Sequence, residues 1–211
     1  MQGYLSVCST STHEKVIERS RFIARCGHVE GEEEARAFIG AVRAEHSLAT
    51  HNCFAFVADK AGNLLRFSDD GEPQGTAGMP ILEVIRSKKL FETAVVVTRY
   101  FGGIKLGAGG LVRAYAGAAA DVLAGADIRA FTPCRDLRLT VGYEHYDALR
   151  RYLSARDCTV KDTQYTDKVS VVAAVRSADA ASFAAGAVDF LGGRVACSEG
   201  EEYLFPFPTI G

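Results

Sequence analysis

The chain has 211 residues, 48% of them hydrophobic and 24% charged, with a formal net charge of -2. That length fits one large or two small domains, and that balance excludes a largely disordered chain. It also excludes a global basic field, so binding to nucleic acid or an anionic membrane would need a local patch.

No apolar run approaches the ~18 residues of a membrane helix, and MQGYLSVCST carries no basic segment followed by a long apolar one. No membrane partner is expected. Cys8, Cys26, Cys53, Cys134, Cys158 and Cys197 lie far apart and form no CxxC pair. They read as reduced, mostly buried thiols of a cytoplasmic protein, not as a disulfide framework or a zinc ribbon.

In chain order, residues 2–8 read as a first strand. Residues 15–27 (KVIERSRFIARCG) alternate and predict one long half-buried strand. Ala35, Phe38, Ile39 and Val42 share a helix face, with Glu32 to Glu34 in the first turn where negative charge suits the dipole. Residues 50–58 (THNCFAFVA) alternate again, Cys53 and Ala55 to one side, Phe54 and Phe56 to the other. Gly62-Asn63 marks a turn into LLRF. Residues 68–80 (SDDGEPQGTAGMP) form a long loop, and Pro80 suits the first turn of a helix running on through ILEVIRSKK. Residues 93–101 (TAVVVTRYF) are apolar without alternation over Ala94 to Val97, as in a central strand buried on both faces. GGIKLGAGG leads to a small-residue helix from about Leu111 to Leu123, which Gly125 could end.

Residues 126–133 read as a linker, dividing the chain into 1–130 and 131–211. The second part predicts strand 135–142, helix 145–155, strands 158–166 and 169–176, helix 178–190 and strand 193–200. That βαββαβ order is ferredoxin-like. Tyr146, Leu149 and Leu153 line one stripe of its first helix, and Ser177 is a candidate cap for its second. Two prolines in the tail YLFPFPTIG block a further helix.

The most informative stretch is RYFGGIKLGAGGLVRAY, residues 99–115. Between positions 86 and 120, Arg86, Lys88, Lys89, Arg99, Lys105 and Arg113 face a single acid, Glu92. Gly102, Gly103, Gly107, Gly109 and Gly110 precede a helix, so backbone N–H groups and the helix dipole could meet an anion. Tyr100 and Phe101 offer faces to bases. This constellation suits phosphate or nucleic-acid binding; a tight turn and close helix–sheet packing would need the same glycines. It is neither a Walker loop nor a GxGxxG fingerprint.

Asp69, Asp70 and Glu72 place three carboxylates within four positions. They could hold magnesium, act as acid and base, or orient the basic patch; turn chemistry explains Ser, Asp, Gly and Pro equally. His51 and Cys53 share a strand face, which suggests a thiol enzyme or a structural histidine. His13, His28, His46 and His145 show no HxxxH or HExxH spacing, and no GxSxG occurs. Arg21, in SRF at 20–22, could support the same site or lie exposed.

With SRF at 20–22, THNCFAF at 50–56, SDDGEPQGTAGMP at 68–80 and TRYFGGIKLGAGGLVRAY at 98–115, the chain resembles the YigZ/IMPACT family in its two-domain bacterial form. The resemblance runs over essentially the whole chain. It implies an α+β protein: an N-terminal α/β domain like the second domain of ribosomal protein S-five, then a ferredoxin-like domain like the last domain of elongation factor G. Eukaryotic relatives act in translational control through an extra N-terminal domain that this chain lacks. A proline-dipeptidase label carried by some members lacks its His/Asp/Glu metal set here.

Three readings follow. The first is a non-enzymatic, translation-associated regulator that binds RNA or the ribosome through the basic Gly-rich loop. The second is a protein-interaction module working through the ferredoxin-like half, with a protein partner in translational control. The third is a small-molecule enzyme in which the Gly-rich loop cradles a phosphate or nucleotide and the acidic loop holds magnesium, by analogy with kinases of the same fold. No resident cofactor or metal and no catalytic residue are read from the sequence, which is silent on oligomeric state.

Overall fold

The computed structural model describes residues 2–207, which divide into two compact units, one of Tyr4–Arg129 and one of residues 130–207 with residues 2 and 3. In the first unit, β6 (Thr93–Tyr100) is the middle strand of an antiparallel sheet. The sheet order is β2 (Ser11–Ile17), β3 (Ser20–His28), β6, β4 (His51–Val57), β5 (Leu65–Ser68). Apolar residues without alternation belong in such a strand, because both its faces are covered. Val95 and Val97 point to one core with Cys53 and Ala55, whereas Ala94 and Val96 point to another with Phe56.

Helix α1 (Gly31–Glu45) covers the second face through Ala35, Ile39 and Val42. Helices α2 (Gly78–Ser87) and α3 (Gly107–Ala124) cover the first through Ile81, Leu82, Ile85, Leu111, Tyr115 and Ala118. A short β1 (Tyr4–Val7) is tied in by Phe91 N–H to Leu5 O at 2.9 Å, and the next residue, Cys8, donates to Asp127 O at 2.8 Å.

The predicted long strand over 15–27 is a hairpin instead. It turns at Glu18 and Arg19, both with positive φ (45° and 63°), and Ile17 pairs with Ser20. Such a turn matches the twist of the strands, but it normally announces itself with Asn or Gly. Helix α3 starts at Gly107, not Leu111, so Gly107, Gly109 and Gly110 form its first turn.

The boundary between the two units falls within the expected linker 126–133, but residues 128–133 of it are strand. β7 (Ile128–Val141) is continuous strand from Ile128 onward. In the second unit β10 (Val195–Phe207), β7, β9 (Val169–Arg176) and β8 (Thr159–Tyr165) lie side by side in that order, all antiparallel. Helices α4 (Tyr146–Ser154) and α5 (Ala180–Phe190) pack on the sheet over Leu137, Leu139, Val171 and Ala173. This is the ferredoxin-like arrangement.

Tyr146, Leu149 and Leu153 do turn toward that core, joined by Tyr152, whose hydroxyl donates to Phe183 O at 2.6 Å. Helix α5 begins behind Asp179 without a side-chain cap, two residues beyond Ser177. The tail extends β10, pairing Phe205 with Thr132 and Phe207 with Ala130. Its second proline, Pro208, lies outside the described residues.

Candidate functional site

The acidic loop 69–77 folds against the start of β4 and the end of β6. The Asp69 carboxylate accepts N–H groups from Gly75 (2.8 Å), Ala77 (3.0 Å) and Gly78 (2.8 Å). Partial burial works against its charge, but these three backbone donors outweigh burial and hold its carboxyl below the ordinary range. It also sits at the start of α2, where negative charge is favourable.

A lowered folded pKa stabilises fully above the unfolded carboxylate's value near 3.8, and that gain is lost as pH falls through the lower folded value. Asp69→Asn is therefore expected to lower stability by about 1–2 kcal/mol at neutral pH, since hydrogen bonds to a charged acceptor are the stronger kind. The gap between the two proteins should close on acidification. Urea midpoints measured from pH 7 down to pH 3 check this; a gap of constant size would assign the effect to shape, not charge.

Asp70 accepts Asn52 N–H at 2.6 Å and Arg43 Nη2 at 2.7 Å. Its carbonyl lies 2.8 Å from His51 Nδ1, and since a carbonyl only accepts, Nδ1 carries the proton. Cys53 is fully buried and its thiol donates to Asp69 O at 2.9 Å. Burial, with help from the acidic neighbours, pushes that thiol up to about 12, the opposite of an activated nucleophile. The His51–Cys53 pair is thus not assembled as a thiol enzyme.

Glu72 ties the loop to the rest of the site. Its Oε1 accepts Arg99 Nη1 and the Tyr115 hydroxyl, each at 2.7 Å, and His51 Nε2 lies 3.9 Å from Oε2. The Arg99 and Glu72 side chains are 5% and 4% exposed. Arg99 Nη2 also donates to Ser20 Oγ at 3.2 Å, and its guanidinium lies 5.4 Å from the ring centres of both Phe22 and Phe101. Ser20 Oγ in turn receives Gly102 N–H at 3.3 Å.

Two sequence expectations change here. Arg99 is not part of an exposed basic face; it is a buried cation that joins the acidic loop to the glycine loop. Asp69, Asp70 and Glu72 do not converge on one point, because each carboxylate is already engaged by protein donors. Their contacts fasten the acidic loop to Asn52, Arg99 and Tyr115. Ser20 and Tyr115 belong to this network and were not singled out. The one signal was a phenol on an otherwise apolar stripe of α3, shared with Leu111, Ala118 and Val122.

What the network presents to solvent is the loop after β6 and the start of α3. Phe101 is 46% exposed, its N–H held by Thr50 Oγ1 at 3.0 Å. Gly103, Lys105, Gly107, Gly109 and Arg113 are exposed, and Gly102 and Gly110 half-buried. Neither Lys105 nor Arg113 has an ion-pair or hydrogen-bond partner among the described residues. Helix α3 has no side-chain cap and no acid in its first turn, so its leading N–H groups face outward. A groove of about 560 Å³ runs beside them, lined by Ile17, Glu18, Ile104, Lys105, Leu106 and Arg113.

Tyr100 stands aside from this surface. It is half-buried, with its hydroxyl 3.1 Å from His46 Nδ1 and Arg21 over its ring at 5.7 Å. Arg21 is itself held by both oxygens of Glu14, at 2.6 and 2.8 Å. Nor do the six basic residues form one patch. Arg86, Lys88 and Lys89 lie at the end of α2 that leads into the start of β6, whereas Lys105 and Arg113 lie past its far end. An eight-residue strand separates them, roughly 25 Å.

Among the described residues no helix is long and apolar enough to cross a membrane. Residues 18–123 match the Impact N-terminal domain family, and residues 139–194 match a domain of unknown function (DUF1949). The chain is 36% identical over 201 residues to the IMPACT family member YvyE of Bacillus subtilis (strain 168), covering 95% of this chain and 93% of the relative. It is 38% identical over 192 residues to the IMPACT family member YigZ of Escherichia coli (strain K12), covering 90% and 94%. A solved structure described as a hypothetical protein superposes with a TM-score of 0.62 at 37% identity, over 93% of this chain and 97% of the other. Two family models in series and relatives aligned nearly end to end establish that the chain belongs to the IMPACT family.

Proposed function

We propose that this IMPACT family member is a non-enzymatic, translation-associated regulator that binds RNA or the ribosome through the loop after β6 and the N-terminus of α3. The observation that carries this reading is the pairing of an uncapped, acid-free helix start with two cations, Lys105 and Arg113, that have no partner among the described residues. Outward N–H groups and flanking cations suit phosphate oxygens. Phe101 offers one exposed ring for a base. Arg99, Glu72, Ser20 and Tyr115 act behind this surface as positioning residues.

Binding of labelled single-stranded RNA and of ribosomal subunits, followed by anisotropy and sedimentation across a salt series, tests the reading. Affinity should fall steeply with salt, and Lys105→Ala/Arg113→Ala should flatten the log–log slope by about 1.4–1.8, at 0.7–0.9 per lost phosphate contact. Binding with an unchanged slope in the double variant would place the interface elsewhere. No binding at low salt would remove nucleic acid as the partner. The groove also has room for a small phosphate, so a nucleotide–magnesium titration is the companion measurement.

A further inference from the structure

We propose that His28, Glu30 and Glu92 form a binding site for a tetrahedral divalent metal ion, zinc by its ligand chemistry, at the other end of the sheet from the glycine loop. They are the one His/Cys/Asp/Glu group among the described residues whose ligand atoms all lie within 4.8 Å of one another. His28 Nε2 is 3.4 Å from Glu30 Oε1 and 3.7 Å from Glu92 Oε2. A tetrahedral ion with bonds of about 2.0–2.2 Å sets its ligand atoms about 3.3–3.6 Å apart, so these two separations come close to fitting, and the Glu30–Glu92 pair lies within 4.8 Å.

The backbone fixes the three positions. His28 ends β3, Glu30 immediately precedes α1, and Glu92 immediately precedes β6. His28 is in register with Thr93, and Val29 N–H donates to Glu92 O at 2.9 Å. The supporting contacts are those a metal site needs. Ser6 Oγ lies 2.8 Å from His28 Nδ1 and 3.1 Å from the Glu92 carbonyl. When the serine proton goes to that carbonyl, Nδ1 donates to Ser6 and Nε2 offers its lone pair to a metal ion between the carboxylates; when it goes to Nδ1, Nε2–H donates to a carboxylate instead. Glu92 is 95% buried, and its Oε2 is oriented by the Tyr4 hydroxyl. One imidazole and two carboxylates leave a fourth position for water and suit zinc over magnesium, which prefers an octahedral shell of oxygens.

Lys60 is the competitor. Its ammonium lies 3.9 Å from the other oxygen of Glu92, and it is 52% exposed, free to swing into solvent. An ion at the site would repel it.

The whole 211-residue chain, stripped of metal with chelator, is titrated with zinc by calorimetry and with cobalt(II) by absorption. The expected result is one equivalent bound at neutral pH, intense tetrahedral cobalt bands without a thiolate-to-cobalt band, and a higher Tm. His28→Gln and Glu92→Gln should each weaken binding at least tenfold, Ser6→Ala about ten- to a hundredfold. Lys60→Ala should tighten it. A thiolate band would assign the metal to cysteines and overturn the proposal. So would weak octahedral cobalt bands, unchanged affinity in folded His28→Gln, or no binding. Should the histidine variant not fold, the cobalt spectrum of the native chain and the sign of the Lys60→Ala effect still decide.

Discussion

Arg99→Met is expected to destabilise the first unit by about 3–5 kcal/mol, the cost of leaving one partner of a buried ion pair without the other. Glu72 would keep the Tyr115 hydroxyl, but it would lose the one cation that hydrogen-bonds to it among the described residues while remaining 4% exposed. Methionine keeps much of the volume between Phe22 and Phe101, so cavity formation adds little. The loss should therefore be electrostatic. Adding Glu72→Gln to Arg99→Met removes the stranded charge and should recover a good part of it. Urea unfolding of the single and double variants gives the coupling directly. A single-variant loss below about 1 kcal/mol would mean that water reaches the pair and that it does not bind the acidic loop to the glycine loop. The consequence for function is indirect but large. Without Arg99, the acidic loop and the Ser20 end of β3 lose the side chain that joins them, and the exposed loop loses part of its support.

How much of this was legible in sequence depended on whether a feature is local. The central strand β6 was legible because burial on both faces leaves an unbroken apolar run, Ala94 to Val97. The ferredoxin-like order was legible because its strands and helices follow one another at short spacing. The β2–β3 hairpin was not, since Glu18 and Arg19 adopt positive φ without Asn or Gly to announce it. The beginning of β7 was hidden by Thr132 and Pro133, residues that suggest a linker, yet Leu204 and Phe205 pair with them across the sheet.

At the site, composition showed that acidic and glycine-rich loops exist but not that they meet. The Arg99–Glu72 contact spans 27 positions and Tyr115–Glu72 spans 43, and nothing in local periodicity reports such pairs. Arg99 therefore read as one more surface cation. Lys105 and Arg113 were legible as exposed cations, for the opposite reason: no acid near them in sequence competes for their charge, and neither has an ion-pair partner among the described residues. His28, Glu30 and Glu92 escaped notice because their cluster exists only once β3 and β6 are paired.

Gly102→Ala should be nearly as damaging as loss of the ion pair, and it would separate shape from charge. A methyl group at Gly102 would lie 2.0 Å from Arg19 O and 2.1 Å from Arg19 C, both backbone atoms of the β2–β3 turn. Neither can rotate away as a side-chain end would. The turn or the loop must move by about an ångström or more, breaking the Gly102 N–H bond to Ser20 Oγ. Overpacking of this kind costs typically about 1–3 kcal/mol, and the lost hydrogen bond about 1 more. Gly103, with φ of 86° and no atom within 4 Å of where an added methyl would sit, is the control. Gly103→Ala meets only the backbone preference of a left-handed residue, about 1 kcal/mol. The two variants differ in position by one residue and in charge not at all. If RNA affinity depends on the loop's fixed shape, Gly102→Ala should weaken binding severalfold more than Gly103→Ala, with the salt slope retained because Lys105 and Arg113 are untouched. Equal losses of stability would show that the turn yields to the methyl group, and that the close approach of the hairpin is not what shapes the loop.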